Sequence, residues 1–143
     1  MFDASIMLKK ASLKLERDAN RILTPLGLTL SQFRVIMVIL LHFGNEARLI
    51  DIEDALALTH PTALGIVDNL EREGFVTRVM NPNDKRSRLI RLTDKTCSMK
   101  SELYDAGDQI EEMLCAPLSK SERKEFMSIL EKIIQSTSAY LKT

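Results

Sequence analysis

A chain of 143 residues falls within the size of one domain and can bury a core without a disulfide or metal staple. Its composition, 45% hydrophobic and 28% charged, excludes the disordered and fibrous classes. Because 20 Lys and Arg balance 20 Asp and Glu, attraction to an anionic partner has to come from uneven placement of charge.

The N-terminal stretch "MFDASIMLKKASLKLERDAN" has neither an apolar signal core nor a small-residue cleavage site. Leu8, Ala11, Leu15, Ala19, Ile22 and Leu26 recur at helical intervals and predict a long first helix, closed near Pro25 and Gly27. Thr29 and Gln32 form a capping box for a second helix, "FRVIMVILLHF", apolar all round up to Gly44 and so expected at the centre of the core. Its seven-residue apolar run, Val35 to Leu41, is far short of the roughly 20 residues a membrane-spanning helix needs. We therefore expect a cytoplasmic protein without a membrane segment.

"NEARL" reads as a short strand, followed by a short helix to Leu56 with Asp51 as its expected cap. After a break at Ala57 and Leu58, Thr59 caps a fourth helix. Pro61 is tolerated in its first turn, Ala63, Ile66, Val67 and Leu70 form its inward stripe, and Gly74 stops it. Two short helices joined by a tight turn read as helix-turn-helix. "FVTRVM" and "RLIRLT" then read as strands separated by a seven-residue turn, "NPNDKRS". A fifth helix should carry Met99, Leu103, Ala106, Ile110 and Met113 to Pro117, with Cys97 and Cys115 on one continuous helix about 27 Å apart. Ser119 and Glu122 cap a sixth helix, whose apolar face is Phe126, Ile129, Leu130, Ile133 and Ile134. The fold class expected is mainly α with a small β-hairpin wing.

The neutral total hides a segregation of charge. Residues 72–91 hold Arg72, Arg78, Lys85, Arg86, Arg88 and Arg91 against Glu73 and Asp84, whereas residues 101–119 hold five acids and no base. A basic hairpin beside a groove-sized helix suits duplex DNA, the hairpin meeting phosphates while the helix faces base edges. The outward face of the fourth helix presents Thr62, Gly65, Asn69 and Arg72, flanked by Leu64 and Asp68, with His60 in the first turn. Thr62 and Asn69 can hydrogen-bond bases or phosphates, Leu64 can touch a thymine methyl, and His60 can donate to a phosphate. The candidate DNA-binding residues are therefore His60, Thr62, Leu64, Gly65, Asn69, Arg72, Lys85, Arg86 and Arg88. There is no Gly-rich phosphate loop, no HExxH and no cysteine pair at metal spacing, so neither an enzyme nor a metal site is expected.

"HPTALGIVDNLEREGFVTRV" followed by "DKRSRLIRLT" resembles the recognition helix and wing of the MarR family of transcription regulators. The Asp68, Leu70 and Gly74 spacing and the wing pattern Asp84, Arg86, Leu92 and Thr93 carry the resemblance most specifically. It implies a homodimer interlocked through residues 1–28 and 95–143, with residues 29–94 as the winged helix-turn-helix lobe. It implies that paired fourth helices enter successive major grooves of a pseudo-palindromic operator, that Arg86 or Arg88 reaches the minor groove, and that Asp84 pairs with an arginine to fix the hairpin. It also implies a repressor released by a small aromatic or phenolic ligand bound between the dimerisation helices and the lobe. Gly65 stands where many members carry a base, Leu64 replaces a small polar residue, Glu53 a common Ala, and Thr96 a usual Gly. The oxidant-sensing branch uses a first-helix cysteine, which residues 3–27 lack; Cys97, placed near a helix start, is the remaining redox candidate. The rival readings are a winged-helix protein-interaction module without operator reading and an enzyme acting through the acidic fifth helix.

Overall fold

The computed structural model describes residues 2–136. Met1 and residues 137–143, at the ends of the segments expected to dimerise, lie outside them. In chain order the elements are α1 (Asp3–Leu23), a 3₁₀ turn (Thr24–Leu26), α2 (Leu30–His42), β1 (Glu46–Arg48), α3 (Leu49–Leu56), α4 (His60–Arg72), β2 (Val76–Asn81), β3 (Asp84–Leu92), α5 (Asp94–Cys97), α6 (Lys100–Cys115) and α7 (Lys120–Gln135). The chain is mainly α, with one antiparallel sheet of order β1-β3-β2. Among these residues no single helix is long and apolar enough to cross a membrane.

The core forms where α2 meets α3, α4 and the sheet. Ile36, Ile39, Ile52, Val67, Leu70 and Ile90 are buried there, together with Leu23 of α1 and Leu103 of α6. Full burial of such side chains contributes about 1.5–3 kcal/mol each. The capping box expected for α2 is present: Thr29 accepts from the Gln32 amide while Gln32 accepts from the Thr29 amide. A second tie, from the Leu30 amide to Asn20 Oδ1 at 2.8 Å, pins the start of α2 to the end of α1. Thr59 caps α4 as expected, by accepting from the Thr62 amide. Gly74 sits at φ +83°, a left-handed geometry that releases the chain from α4 into β2.

Four local expectations are corrected. Asp51 does not cap α3; Arg48, extended at the end of β1, takes that position, and Asp51 lies in the first turn with its carboxylate held by the Arg48 guanidinium at 2.9 and 3.0 Å. The wing turn is shorter than seven residues, because pairing runs on to Asn81↔Asp84 with a register shift after Met80, so Lys85, Arg86 and Ser87 belong to β3. The fifth helix is two helices. Thr93 caps α5, and the buried Thr96 hydroxyl donates to the Phe75 carbonyl at 2.6 Å, so the chain is anchored to the base of the wing before α6 begins. Cys97 and Cys115 therefore lie on different helices, and Cys97 ends α5 rather than starting a long helix. Its thiol donates to Asn45 Oδ1 at 3.2 Å.

α6 packs along α1, and Leu103, Ala106 and Ile110 fill the seam. α7 behaves differently: none of its residues is buried, and Ile129, Ile133 and Ile134 are 53%, 59% and 78% exposed. The first half of α1 is equally bare, with Phe2, Ile6, Met7 and Leu8 exposed.

Candidate nucleic-acid interface

α4 is positioned by its apolar stripe. Ala63, Val67 and Leu70 are buried, and Ile66 is half-buried against the core. Helical periodicity then turns His60, Thr62, Leu64, Gly65, Asn69 and Arg72 outward, and all six are exposed. A Cβ placed on Gly65 would meet nothing within 4 Å, so this position is open surface rather than a close packing contact.

The wing rises beside that face. At its tip Asn81, which is buried, donates from Nδ2 to Ser87 Oγ at 3.1 Å and accepts from the Asn83 amide at 3.0 Å. Asp84 Oδ1 accepts from the Arg86 backbone amide at 3.0 Å. The expected pairing of Asp84 with an arginine side chain is therefore replaced: its carboxylate shapes the tip through the main chain. Among the described residues Lys85, Arg86, Arg88 and Arg72 have no acidic partner, so their charge faces solvent.

Two other basic residues of the cluster are neutralised. Arg91 lies directly across the sheet from Glu46 and pairs with it at 2.7 Å. Arg78, on β2, reaches back to α4 and binds both Asp68 and Glu71. Burial tends to lower the Arg78 pKa, but the two carboxylates outweigh it and hold the guanidinium above its ordinary value. Counting charges along the sequence could not separate these structural arginines from the free ones. The Arg78 clamp was missed, and the only signal for it was an arginine just beyond the Gly74 turn from a helix ending in acids.

Between α3, α4 and the wing lies a groove of about 870 Å³, lined by Leu64, His60, Glu53, Arg86, Arg88 and Ile50 among others. The groove brings His60, Leu64, Arg86 and Arg88 together; Gly65, Asn69, Arg72 and Lys85 lie outside its lining, as does Thr62. His60 is not free, because its Nδ1 lies 3.0 Å from Glu53 Oε2.

A second concavity, of about 430 Å³, opens between α2 and α6. Phe33, Met37, Val38 and Tyr104 give it apolar and aromatic walls, with Arg34, Asp108 and Glu111 at its charged positions. Among the described residues no group of three or more His, Cys, Asp or Glu is arranged to hold a metal ion.

A family model described as the MarR family matches residues 26–87. The multiple antibiotic resistance protein MarR of Salmonella typhimurium is 26% identical over 122 residues, 85% of this chain and 83% of that one. The structure of a Staphylococcus aureus MepR–DNA complex superposes with a TM-score of 0.80 at 25% identity, over 91% of this chain and 94% of that one. Bordetella bronchiseptica BpsR, solved in a study of how 6-hydroxynicotinic acid regulates its DNA binding, superposes with a TM-score of 0.83 at 21% identity over 93% and 94%.

Proposed function

We propose that the chain is a winged-helix transcriptional regulator of the MarR family, that it binds duplex DNA sequence-specifically, as a homodimer on a pseudo-palindromic operator, and that it acts as a ligand-responsive repressor in the cytoplasm; the match over residues 26–87 and the similar proteins support this reading. The observation that carries this reading is the outward polar face of α4 beside a wing whose Lys85, Arg86 and Arg88 have no acidic partner among the described residues. In this reading α4 faces base edges through Thr62, Asn69 and Leu64, while the wing and Arg72 meet the phosphates. Asp84 orients the wing through the Arg86 amide.

The homodimer is supported by the bare apolar faces of α1 and α7, which one lobe of this size leaves uncovered. Residues 1–28 and 95–143 would then form the dimerisation part, and residues 29–94 the DNA-binding lobe. Ligand response is supported by the crevice between α2 and α6, whose aromatic walls suit a small aromatic or phenolic effector and which lies between those two parts. Occupying it would bias the angle between α2 and α6, and with it the separation of the two α4 helices.

Selection of short duplexes from a random pool by the purified protein tests the reading. Enrichment of half-sites about one helical turn apart is expected, with affinity falling steeply with salt. A competing reading, a protein-interaction module without operator reading, is favoured by Gly65 and Leu64 on the recognition face and by the zero net charge. No enriched duplex together with a stable partner protein would select it instead.

A further inference from the structure

His60 and Glu53 make a contact that charge counting does not explain. Glu53, on α3, is 12% exposed at its side chain, yet it lines the groove facing the wing, where phosphates would be expected to exclude a carboxylate. Its Oε2 lies 3.0 Å from Nδ1 of His60, the first residue of α4, whose side chain is 64% exposed. An ionised carboxylate only accepts hydrogen bonds, so Nδ1 is the nitrogen that carries the proton. In the neutral ring Nε2 is then a bare acceptor. Among the described residues no protein group engages Nε2.

We infer that Glu53 is a positioning residue that prepares His60 to take up a proton on binding DNA, making operator affinity pH-dependent. The inference rests on the reading of α4 as the DNA-facing helix. Phosphate oxygens only accept, so Nε2 can face one only as a donor, which requires the doubly protonated ring. That ring gives one N–H to Glu53 and one to DNA; the second proton comes from solvent, and the imidazolium is balanced by the carboxylate behind it and the phosphate ahead. Histidine is the side chain whose charge ordinarily changes between pH 5 and 8. The other charged groups of the groove are Arg48, paired with Asp51, Arg78, paired with Asp68 and Glu71, and Asp84, Arg86 and Arg88. α4 itself carries Asp68, Glu71 and Arg72.

The test is the dissociation constant of the full chain for its selected duplex between pH 6.0 and 8.0 at constant ionic strength. Each proton taken up changes affinity by as much as about tenfold per pH unit. Wild type is expected to bind more tightly as pH falls, and His60→Gln to show a flat profile. Glu53→Gln keeps an acceptor for Nδ1–H without the charge and is expected to gain less affinity than wild type as pH falls from 8.0 to 6.0. Equal weakening at every pH would reduce Glu53 to a structural role. Nitrogen-15 spectra of the histidines in the DNA complex are expected to show protons on both ring nitrogens of His60. DNA binding that is flat with pH in wild type overturns this inference and leaves the DNA-binding reading standing; no duplex bound at either pH overturns both.

Discussion

Arg78 Nη2 on β2 donates to Asp68 Oδ1 on α4 at 2.5 Å, and its other terminal nitrogen engages Glu71 one turn further along the same helix. One side chain therefore ties the wing to the recognition helix at two points. A fork of this kind restricts rotation as well as distance, which a single ammonium cannot do. Arg78→Ala is expected to lower stability by about 1–2 kcal/mol, between the exposed and buried limits for ion pairs. Arg78→Lys should recover much of the stability, since the charge remains, but little of the DNA affinity. Urea titration read beside DNA titration separates the two effects; full recovery of affinity by Lys would show that charge alone suffices.

Among the described residues Arg86 and Arg88 have no acidic partners, so their counterions are available for release to DNA. Changing both to Ala should flatten the dependence of log affinity on log salt by roughly 0.9 for each phosphate that is no longer neutralised. Stability should hardly change, because neither side chain is buried. An unaltered slope would remove the wing from the interface.

Gly65 sits mid-helix on open surface. Gly65→Ala should stabilise the fold by about 0.5–1 kcal/mol by lowering the entropy cost of the helix. Gly65→Lys should in addition steepen the salt slope, by adding a cation to the face of α4. A stabilised variant with an unchanged slope would place Gly65 away from the phosphates.

Ile129 and Ile133 lie one turn apart on α7 and are more than half exposed. If this face is the dimer seam, the double substitution Ile129→Asp, Ile133→Asp removes four apolar side chains from a two-fold interface. At about 1.5 kcal/mol each this weakens association by roughly 10⁴. Sedimentation should report a folded monomer with helical circular dichroism intact; a persistent dimer would place the interface elsewhere.

The Asp51 carboxyl is held below the usual carboxylate range, chiefly by the hydrogen bonds from Arg48, with burial opposing. A group whose pKa is depressed in the folded state stabilises it above the unfolded value, and that contribution fades as pH falls through the lower folded value. Asp51→Asn should therefore destabilise the protein at pH 7 and make progressively less difference as pH falls below the ordinary Asp value of about 3.9. Urea midpoints measured at pH 7 and through the acid range check the sign, and an equal loss throughout would rule out the charge as the cause.

Most element boundaries followed from local chemistry. The capping pairs Thr29–Gln32 and Ser119–Glu122, the Thr59 cap, the Gly74 stop and the β-type runs of the wing act within a few residues of themselves, and all are present in the structure. Helical periodicity likewise identified which face of α4 is outward, because burial of Ala63, Val67 and Leu70 leaves no choice for the rest. What the tertiary structure decided was which charges are free. Arg78 and Arg91 look like Arg86 and Arg88 along the chain, yet the strand register sets Arg91 opposite Glu46 and the turn at Gly74 folds Arg78 back onto Asp68 and Glu71. The split of α5 from α6 depends on Thr96 meeting the carbonyl of Phe75, 21 residues earlier. The pairing of His60 with Glu53 requires α3 and α4 to dock. Propensities and caps act over one helical turn and are legible in a linear chain; ion pairs and anchoring hydrogen bonds depend on distances that only packing sets.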